Sequence, residues 1–183
     1  MNDLVTERLV LHPLNQEEAE RIAAGRPDDA DRWAPDYPTE GDVKGATDHL
    51  AQCASAGDPQ PFGAYEIRRR ADGCAIGGIG FHRPPDQNGT VTIGYGLIPS
   101  VRGQGYAAEA LRGLLAFAEA NGVANVKGDA DLDNIASQRV MMAAGMRQVG
   151  EDDRVKYYEI AWTDAATDQA STPIRRATGG SRG

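Results

Sequence analysis

Arg102-Gly103-Gln104-Gly105-Tyr106-Ala107 lies between an alternating apolar run, Val91 to Ile98, and a run with helical spacing, Ala107 to Asn121. The first reads as a strand and the second as a helix. A two-glycine loop at such a junction presents several backbone N–H groups with no side chain in the way. Phosphate oxygens fit this cradle, because the first N–H groups of a helix lack internal partners and the helix dipole adds partial positive charge. Arg102 adds a formal cation at the rim. The stretch predicts an anion site, suited above all to the pyrophosphate of a cofactor.

Ahead of the loop the pattern is one of short strands. Phe62 to Arg69 and Cys74 to His82 flank Ala71-Asp72-Gly73, a hairpin signal. With Val91 to Ile98 they make three successive antiparallel strands. Nearer the N-terminus, Leu4 to Leu14 alternates and closes at Pro13, reading as a first strand. Asn15 then caps a helix with Glu17 and Glu18 in its first turn and Gly25 at its end. Thr39 with Asp42 three residues on forms a capping box for a second helix, running to about Gly57. Between these helices, a loop rich in Pro and Asp carries Trp33 and Tyr37. Large rings there serve either as a substrate wall or as plugs at the core edge.

Behind the loop, Ala110, Leu111, Leu114, Leu115 and Ala118 recur at helical spacing, so that helix packs on the sheet. Ala124 to Ala130 is the next strand, in a right-handed crossover with parallel pairing. A short helix, Ile135 to Ala144, follows under the cap residue Asn134, and a terminal hairpin pairs Met146 to Gly150 with Val155 to Trp162. The order β-α-α-β-β-β-α-β-α-β-β is α+β: a mixed, mainly antiparallel sheet with helices on both faces. A single domain over residues 1–163 is predicted. Residues 164–183, with almost no large apolar side chains, are predicted to be disordered.

Composition narrows the function classes. The chain has 183 residues, 40% of them hydrophobic, enough for a core of its own. Its net charge of −8 argues against nucleic-acid or anionic-membrane partners and favours cationic substrates. No apolar run approaches the roughly 20 residues of a membrane span, and no signal-like N-terminus is present, so a cytoplasmic protein is expected. Two cysteines, Cys53 and Cys74, and three scattered histidines, His12, His49 and His82, give no metal-ligand spacing. No metal cofactor is expected.

These residues resemble a known family, the GNAT superfamily of acyl-CoA-dependent N-acetyltransferases. Its hallmark, Arg/Gln-x-x-Gly-x-Gly/Ala at a strand-to-helix turn, is matched by Arg102, Gly105 and Ala107. A second signature, Asn-x-x-Ala/Ser leading to Gly-Phe, is matched by Asn134, Ser137 and Gly145, with Met146 in place of Phe. The opening Thr6-Glu7-Arg8-Leu9-Val10-Leu11 is similar to the branch that acetylates protein N-termini and small amines. The resemblance spans about Val5 to Trp162.

The resemblance implies acetyl-CoA as co-substrate, lying in a gap where a splayed central strand pair opens. Its pyrophosphate would rest on Arg102, Gly103, Gln104, Gly105, Tyr106 and Ala107, with Asn134 nearby. Its pantetheine arm would bond backbone groups of Tyr95, Gly96 and Leu97 as a further strand would. A primary amine, from a small molecule or a protein N-terminus, would attack the thioester directly through a tetrahedral oxyanion that a backbone N–H stabilises. The protein would act as a monomer or homodimer.

For proton transfer, Asp129 matches a position where some members carry a glutamate base, and Ser137 matches a serine that can donate to the leaving thiolate. Each has a bland alternative, as a solvated charge and as an ordinary first-turn serine. Glu66 and His82 are lesser candidates for the base. Two departures stand out: Thr92 replaces a glutamate used elsewhere, and Met141 replaces a common tyrosine acid. They raise the alternative of a CoA-binding module without turnover. A rival enzyme class also fits locally, since Gly103-x-Gly105-x-x-Ala108 matches a dinucleotide fingerprint with Asp129 about 20 residues on. The antiparallel strands ahead of the loop, and the short chain behind it, count against that rival.

Overall fold

The computed structural model describes residues 2–162; the predicted disorder of 164–183 lies outside them. In chain order the elements are β1 (Leu4–Val5), β2 (Leu9–Pro13), α1 (Gln16–Ala24), α2 (Glu40–Ala56), β3 (Ala64–Arg69), β4 (Ala75–Phe81) and β5 (Thr90–Leu97). After a 3-10 turn at Pro99–Val101 come α3 (Tyr106–Ala120), β6 (Asn125–Asp131), α4 (Ile135–Ala143), β7 (Arg147–Glu151) and β8 (Val155–Ala161). The strands form one sheet in the order β1-β2-β3-β4-β5-β6-β8-β7. The pair β5–β6 is parallel, and the other neighbours are antiparallel. This is the mixed, mainly antiparallel α+β architecture read from the sequence.

Local chemistry accounts for most of the boundaries. Asn15 with Glu18, and Thr39 with Asp42, form complete capping boxes that start α1 and α2. Gly25, at φ 62°, ends α1 in the left-handed conformation.

Strand alternation sorts side chains onto two faces. Leu11 and Ile67, opposite one another on β2 and β3, pack with Leu111 and Leu114 of α3, all fully buried. Met141 of α4 lies on the same face, against Ile93 and Gly128. On the other face, Asp42 of α2 closes over Gly78 of β4. Helices thus cover both faces: α3 and α4 on one, α1 and α2 on the other. Among the described residues, no helix is long and apolar enough to cross a membrane.

The structure departs from the sequence reading near the start, where the single expected strand is a hairpin turning at Thr6–Arg8. The cause lies far along the chain. Glu109, in the first turn of α3, accepts from the Thr6 hydroxyl at 2.6 Å, the Arg8 amide at 2.7 Å and the Arg8 guanidinium at 2.7 Å. The Thr6 hydroxyl in turn accepts from the Leu9 amide at 3.1 Å. Burial alone would raise the Glu109 carboxyl, but these donors outweigh it and hold it below its ordinary value. The hairpin is therefore riveted to the helix that begins at the anion loop.

Glu109→Ala leaves the Arg8 amide and the Thr6 hydroxyl without their acceptor, which costs about 1 to 3 kcal/mol. The expected result is a lower urea midpoint at neutral pH. A depressed carboxyl stabilises the fold above its unfolded value, so the gap between wild type and variant should narrow as pH falls below 4.5.

Candidate functional site

The β5–β6 pair is short. Its register covers only Thr90 with Asn125, Val91 with Val126 and Thr92 with Lys127, although both strands continue. On its other edge β5 stays paired with β4 from Ile93 to Leu97. The His82 amide donates to the Thr92 carbonyl at 2.8 Å and the Ile98 amide to the Ile76 carbonyl at 3.0 Å, so even-numbered residues turn their backbone toward β4. Odd-numbered residues face the gap. There, among the described residues, the Tyr95 amide and carbonyl, and the Leu97 amide, have no strand opposite them. The Leu97 carbonyl is taken by Arg102 Nε at 3.0 Å. Gly96, expected to offer backbone groups with its neighbours, turns them to Gly78 across β4 instead. What it presents is a Cα with nothing within 4 Å of the missing side chain.

At the end of β5 the anion loop has the geometry its sequence implies. Gly105 caps α3 at φ 81°, a conformation that L side chains rarely adopt. No side chain caps this helix end. The amides of Gly105, Tyr106, Ala107 and Ala108 make no hydrogen bond among the described residues; the Glu109 amide, on the Gly105 carbonyl, is the first of this helix to find a partner there. Arg102, Gly103 and Gln104 are exposed beside them. Arg8 reaches in from the N-terminal hairpin, donating to the Gln104 carbonyl at 3.0 Å with its guanidinium 4.5 Å from the Tyr106 ring centre. A second cation thus stands at the loop. Sequence spacing gave no hint of it, because Arg8 is 96 residues away.

On the α1/α2 face a cleft of about 750 Å³ opens over β4 and β5. Its floor is backbone: Gly78, Gly80, Gly94 and Gly96 line it. The facing wall is α2, including Gly45, where an added side chain would meet open space. Tyr37 lines the cleft and is 7% exposed. Trp33 does not line it; it meets the Tyr37 ring edge-on at 5.4 Å and bridges to Ala75, so it buttresses the wall from behind. Asp36, between them, accepts from the Ser100 amide at 3.3 Å and hydroxyl at 3.1 Å, tying this loop to the turn before Arg102.

Carboxylates gather on this face. Asp42, 8% exposed, lines the cleft, with Oδ2 accepting from the Thr39 amide at 2.8 Å and hydroxyl at 2.7 Å. Burial pushes its carboxyl up, against those two bonds. Behind it, Glu66 is buried beside Tyr37 and paired with Arg68, while Glu18 is held at about 2 by the hydrogen bond from His12, which outweighs its burial together with the Asn15 cap and Arg68. Burial raises Glu66 as well, and it raises the Tyr37 hydroxyl, assisted by the charges of Glu66 and Asp42. Sequence reading gave Asp42 only its capping role, and nothing local marks it as facing a cleft.

Further along α2, His49, Cys53 and Asp58 bring possible ligand atoms within 4.8 Å of one another, a grouping that linear spacing did not reveal. The Ala64 amide donates to His49 Nδ1 at 3.5 Å, and buried Nε2 has no partner among the described residues.

On the α3/α4 side, Asn134 caps α4 by accepting from the Ser137 amide at 3.1 Å. The Tyr95 hydroxyl donates to the Ser137 carbonyl at 3.1 Å and lies 2.8 Å from the Ser137 hydroxyl, which therefore donates to it. Met141, which replaces the common tyrosine acid, is fully buried in the core. A phenol reaches the start of α4 from β5 instead. Asp129 projects from β6 on the same face as Gly94 and Gly96, but it is exposed and does not line the cleft. His82 lines the cleft at its rim, with Nε2 2.7 Å from where a Gly94 side chain would begin.

Comparison with known proteins agrees with this geometry. The acetyltransferase (GNAT) domain family matches residues 8–147. Two curated relatives come from Bacillus subtilis (strain 168): the uncharacterized N-acetyltransferase YjdG, 31% identical over 46% of this chain and 51% of its own length, and the uncharacterized N-acetyltransferase YoaA, 27% identical over 80% and 84%. The chain thus spans about half of the first relative and most of the second. Among solved structures, the ribosomal-protein-S5-alanine acetyltransferase from Vibrio fischeri superposes with TM-score 0.67 at 14% identity, covering 90% of this chain and 98% of that one. The Microcin C7 self-immunity acetyltransferase MccE, in complex with acetyl-CoA and AMP, gives TM-score 0.61 at 14% identity, covering 86% and 94%.

The Tyr95–Ser137 contact can be tested apart from any chemistry. Tyr95→Phe strips the Ser137 carbonyl and hydroxyl of a part-buried partner, a loss of about 1 to 2 kcal/mol. The expected readout is a melting midpoint lower by a few degrees.

Proposed function

The chain belongs to the GNAT acetyltransferase family, which implies acetyl transfer from acetyl-CoA, and we propose that its acceptor is a primary amine attacking the thioester directly. The observation that carries this reading is the coincidence of two backbone features on one strand. β5 parts from β6 after Thr92, and it leads into a helix start with four unpaired amides. An extended arm ending in a diphosphate complements both, the arm as a strand beside Tyr95 and Leu97, the diphosphate on Gly105 to Ala108 with Arg102 and Arg8 at the rim. Gly103, Gln104, Tyr106 and Ala107 shape that cradle, and Asn134 holds the start of α4 across the gap.

In the proposed reaction the amine lone pair forms a bond to the thioester carbonyl carbon, and the carbonyl π electrons move to oxygen. The Tyr95 amide, aimed into the gap, stabilises that oxyanion. Collapse breaks the C–S bond. The thiolate takes a proton from the Ser137 hydroxyl, the Tyr95 phenol reprotonates Ser137, and the proton shed by the newly bonded nitrogen returns to the phenol by way of water. Asp129, in solvent on the acceptor face, would accept the amine's proton only by way of water. The acidic cleft suits a cation, and the fold likeness to a ribosomal-protein acetyltransferase adds a protein N-terminus to the plausible acceptors.

Thiol release from acetyl-CoA, measured against libraries of peptides and small amines, tests the whole reading. Turnover with at least one amine is expected, and acetyl-CoA binding with no turnover would leave a non-catalytic binding module. Stabilisation by NAD and not by CoA would instead favour the dinucleotide rival. Gly105→Val forces a side chain into a left-handed position and should weaken CoA binding about a hundredfold, the loss of one or two charge-assisted bonds. Ser137→Ala should lower kcat about 10 to 100-fold with little change in CoA affinity.

A further inference from the structure

An amine that arrives as an ammonium must be held by an anion and must give up a proton before it can attack. We propose that Asp42 does both: its free oxygen, Oδ1, receives the acceptor's ammonium in the cleft and takes its proton. This assignment rests on the acetyl-transfer reading above, and it names a residue that neither motif nor spacing singles out.

Three observations carry it. The first is a division of labour within one carboxylate. Oδ2 is engaged by the Thr39 amide and hydroxyl, which fixes the rotamer, whereas Oδ1 makes no hydrogen bond among the described residues. The second is where Oδ1 lies. It is 2.9 Å from the point where a Gly78 side chain would begin, so it rests directly on the floor of the cleft, and only glycine permits that approach. The third is register. Gly78 stands opposite Gly96, next to the Tyr95 amide on the open edge of β5. Opposed residues of this kind are about 5.5 Å apart, so a nitrogen above Gly96 is within one hydrogen bond, or one water, of Oδ1.

The neighbours sharpen the choice. Glu66 is committed to Arg68, and Tyr37 stands between it and the cleft wall. Glu18 and His12 are committed to one another and, through Asp3 and Arg68, to the rest of that network. On α2 itself, Lys44 pairs with Asp48 at the exposed rim, and His49 has its lone pair turned to the Ala64 amide. Besides their glycines, β4 and β5 line the cleft with Ile79, Phe81 and Tyr95, and His82 follows at the rim. Burial of Asp42 raises its carboxyl, which strengthens it as a base while a bound cation favours its ionised form. In the step itself, one N–H bond of the ammonium breaks, its electron pair stays on nitrogen, and the proton passes to Oδ1 and then to water at the cleft mouth.

The decisive measurement is binding of n-butylammonium to the CoA-loaded protein across pH 5 to 9, because it needs no turnover. Wild type should bind more tightly as Asp42 ionises. Asp42→Asn should lose about 10 to 100-fold in affinity together with the pH dependence, at unchanged CoA affinity. Thr39→Ala, which removes one of the two bonds that fix the Asp42 rotamer but keeps the carboxylate, should lower the melting midpoint, cost less affinity than Asp42→Asn and retain the pH dependence. Equal affinity in wild type and Asp42→Asn overturns the assignment, as does a pH dependence lost in Thr39→Ala although its Asp42 carboxylate remains. So does a pH dependence that survives in Asp42→Asn and disappears in His82→Ala or Asp129→Asn. Absence of acetyl transfer alongside intact, Asp42-dependent ammonium binding would sink the enzymatic reading and leave the cation site standing.

Discussion

Backbone hydrogen bonding along one strand governs this molecule. β5 satisfies one edge against β4, yet the other is met by β6 over only three register pairs. Peptide groups within a sheet require partners, so the stretch from Tyr95 to Leu97 is either solvated or completed from outside. The same strand then runs into a helix whose first amides are also unclaimed. Two adjoining sets of free main-chain donors, one extended and one curved, create a continuous complement to a ligand that is a thin chain at one end and a polyanion at the other. The riveting of the N-terminal hairpin to Glu109 steadies the helix start on which the curved set depends.

Much of this was readable from the residues, for reasons that differ from element to element. The loop around Gly105 was legible because positive φ and close backbone approach leave glycine as the natural occupant, and the order of strands and helices followed from periodicity and caps. The hairpin at Thr6–Arg8 was not legible, since its cause is a carboxylate 103 residues from Thr6. Arg8 beside the anion loop and the phenol of Tyr95 beside Ser137 were hidden in the same way, each being a contact made only after the sheet assembles. Asp42 was visible under another description, because the capping box accounts for one oxygen and local sequence says nothing about the other. Trp33 and Tyr37 illustrate the intermediate case. Composition marked both rings as purposeful, but only packing separates the one that faces the cleft from the one that supports it.

The two faces of the sheet carry opposite electrostatic characters. On the α3 side, unpaired amides, Arg102 and Arg8 offer positive potential to an anion. On the α2 side, Asp42 turns a carboxylate oxygen to the cleft, with Glu66 and Glu18 behind it already paired to Arg68 and His12. The overall charge of −8 is consistent with this arrangement but conceals it. Under the proposed transfer, separation of the two characters by one layer of backbone would let each partner approach through its own entrance and meet at the gap.

Gly45 gives this partition an evolutionary dimension. A glycine inside a helix costs about 1 kcal/mol relative to alanine, and here the space above it is empty cleft. Because the floor beneath is main chain, pocket width and lining can be rewritten from α2 alone, with neither the diphosphate cradle nor the sheet core disturbed. A change at this one position would therefore resize the cleft while leaving the cradle as it is.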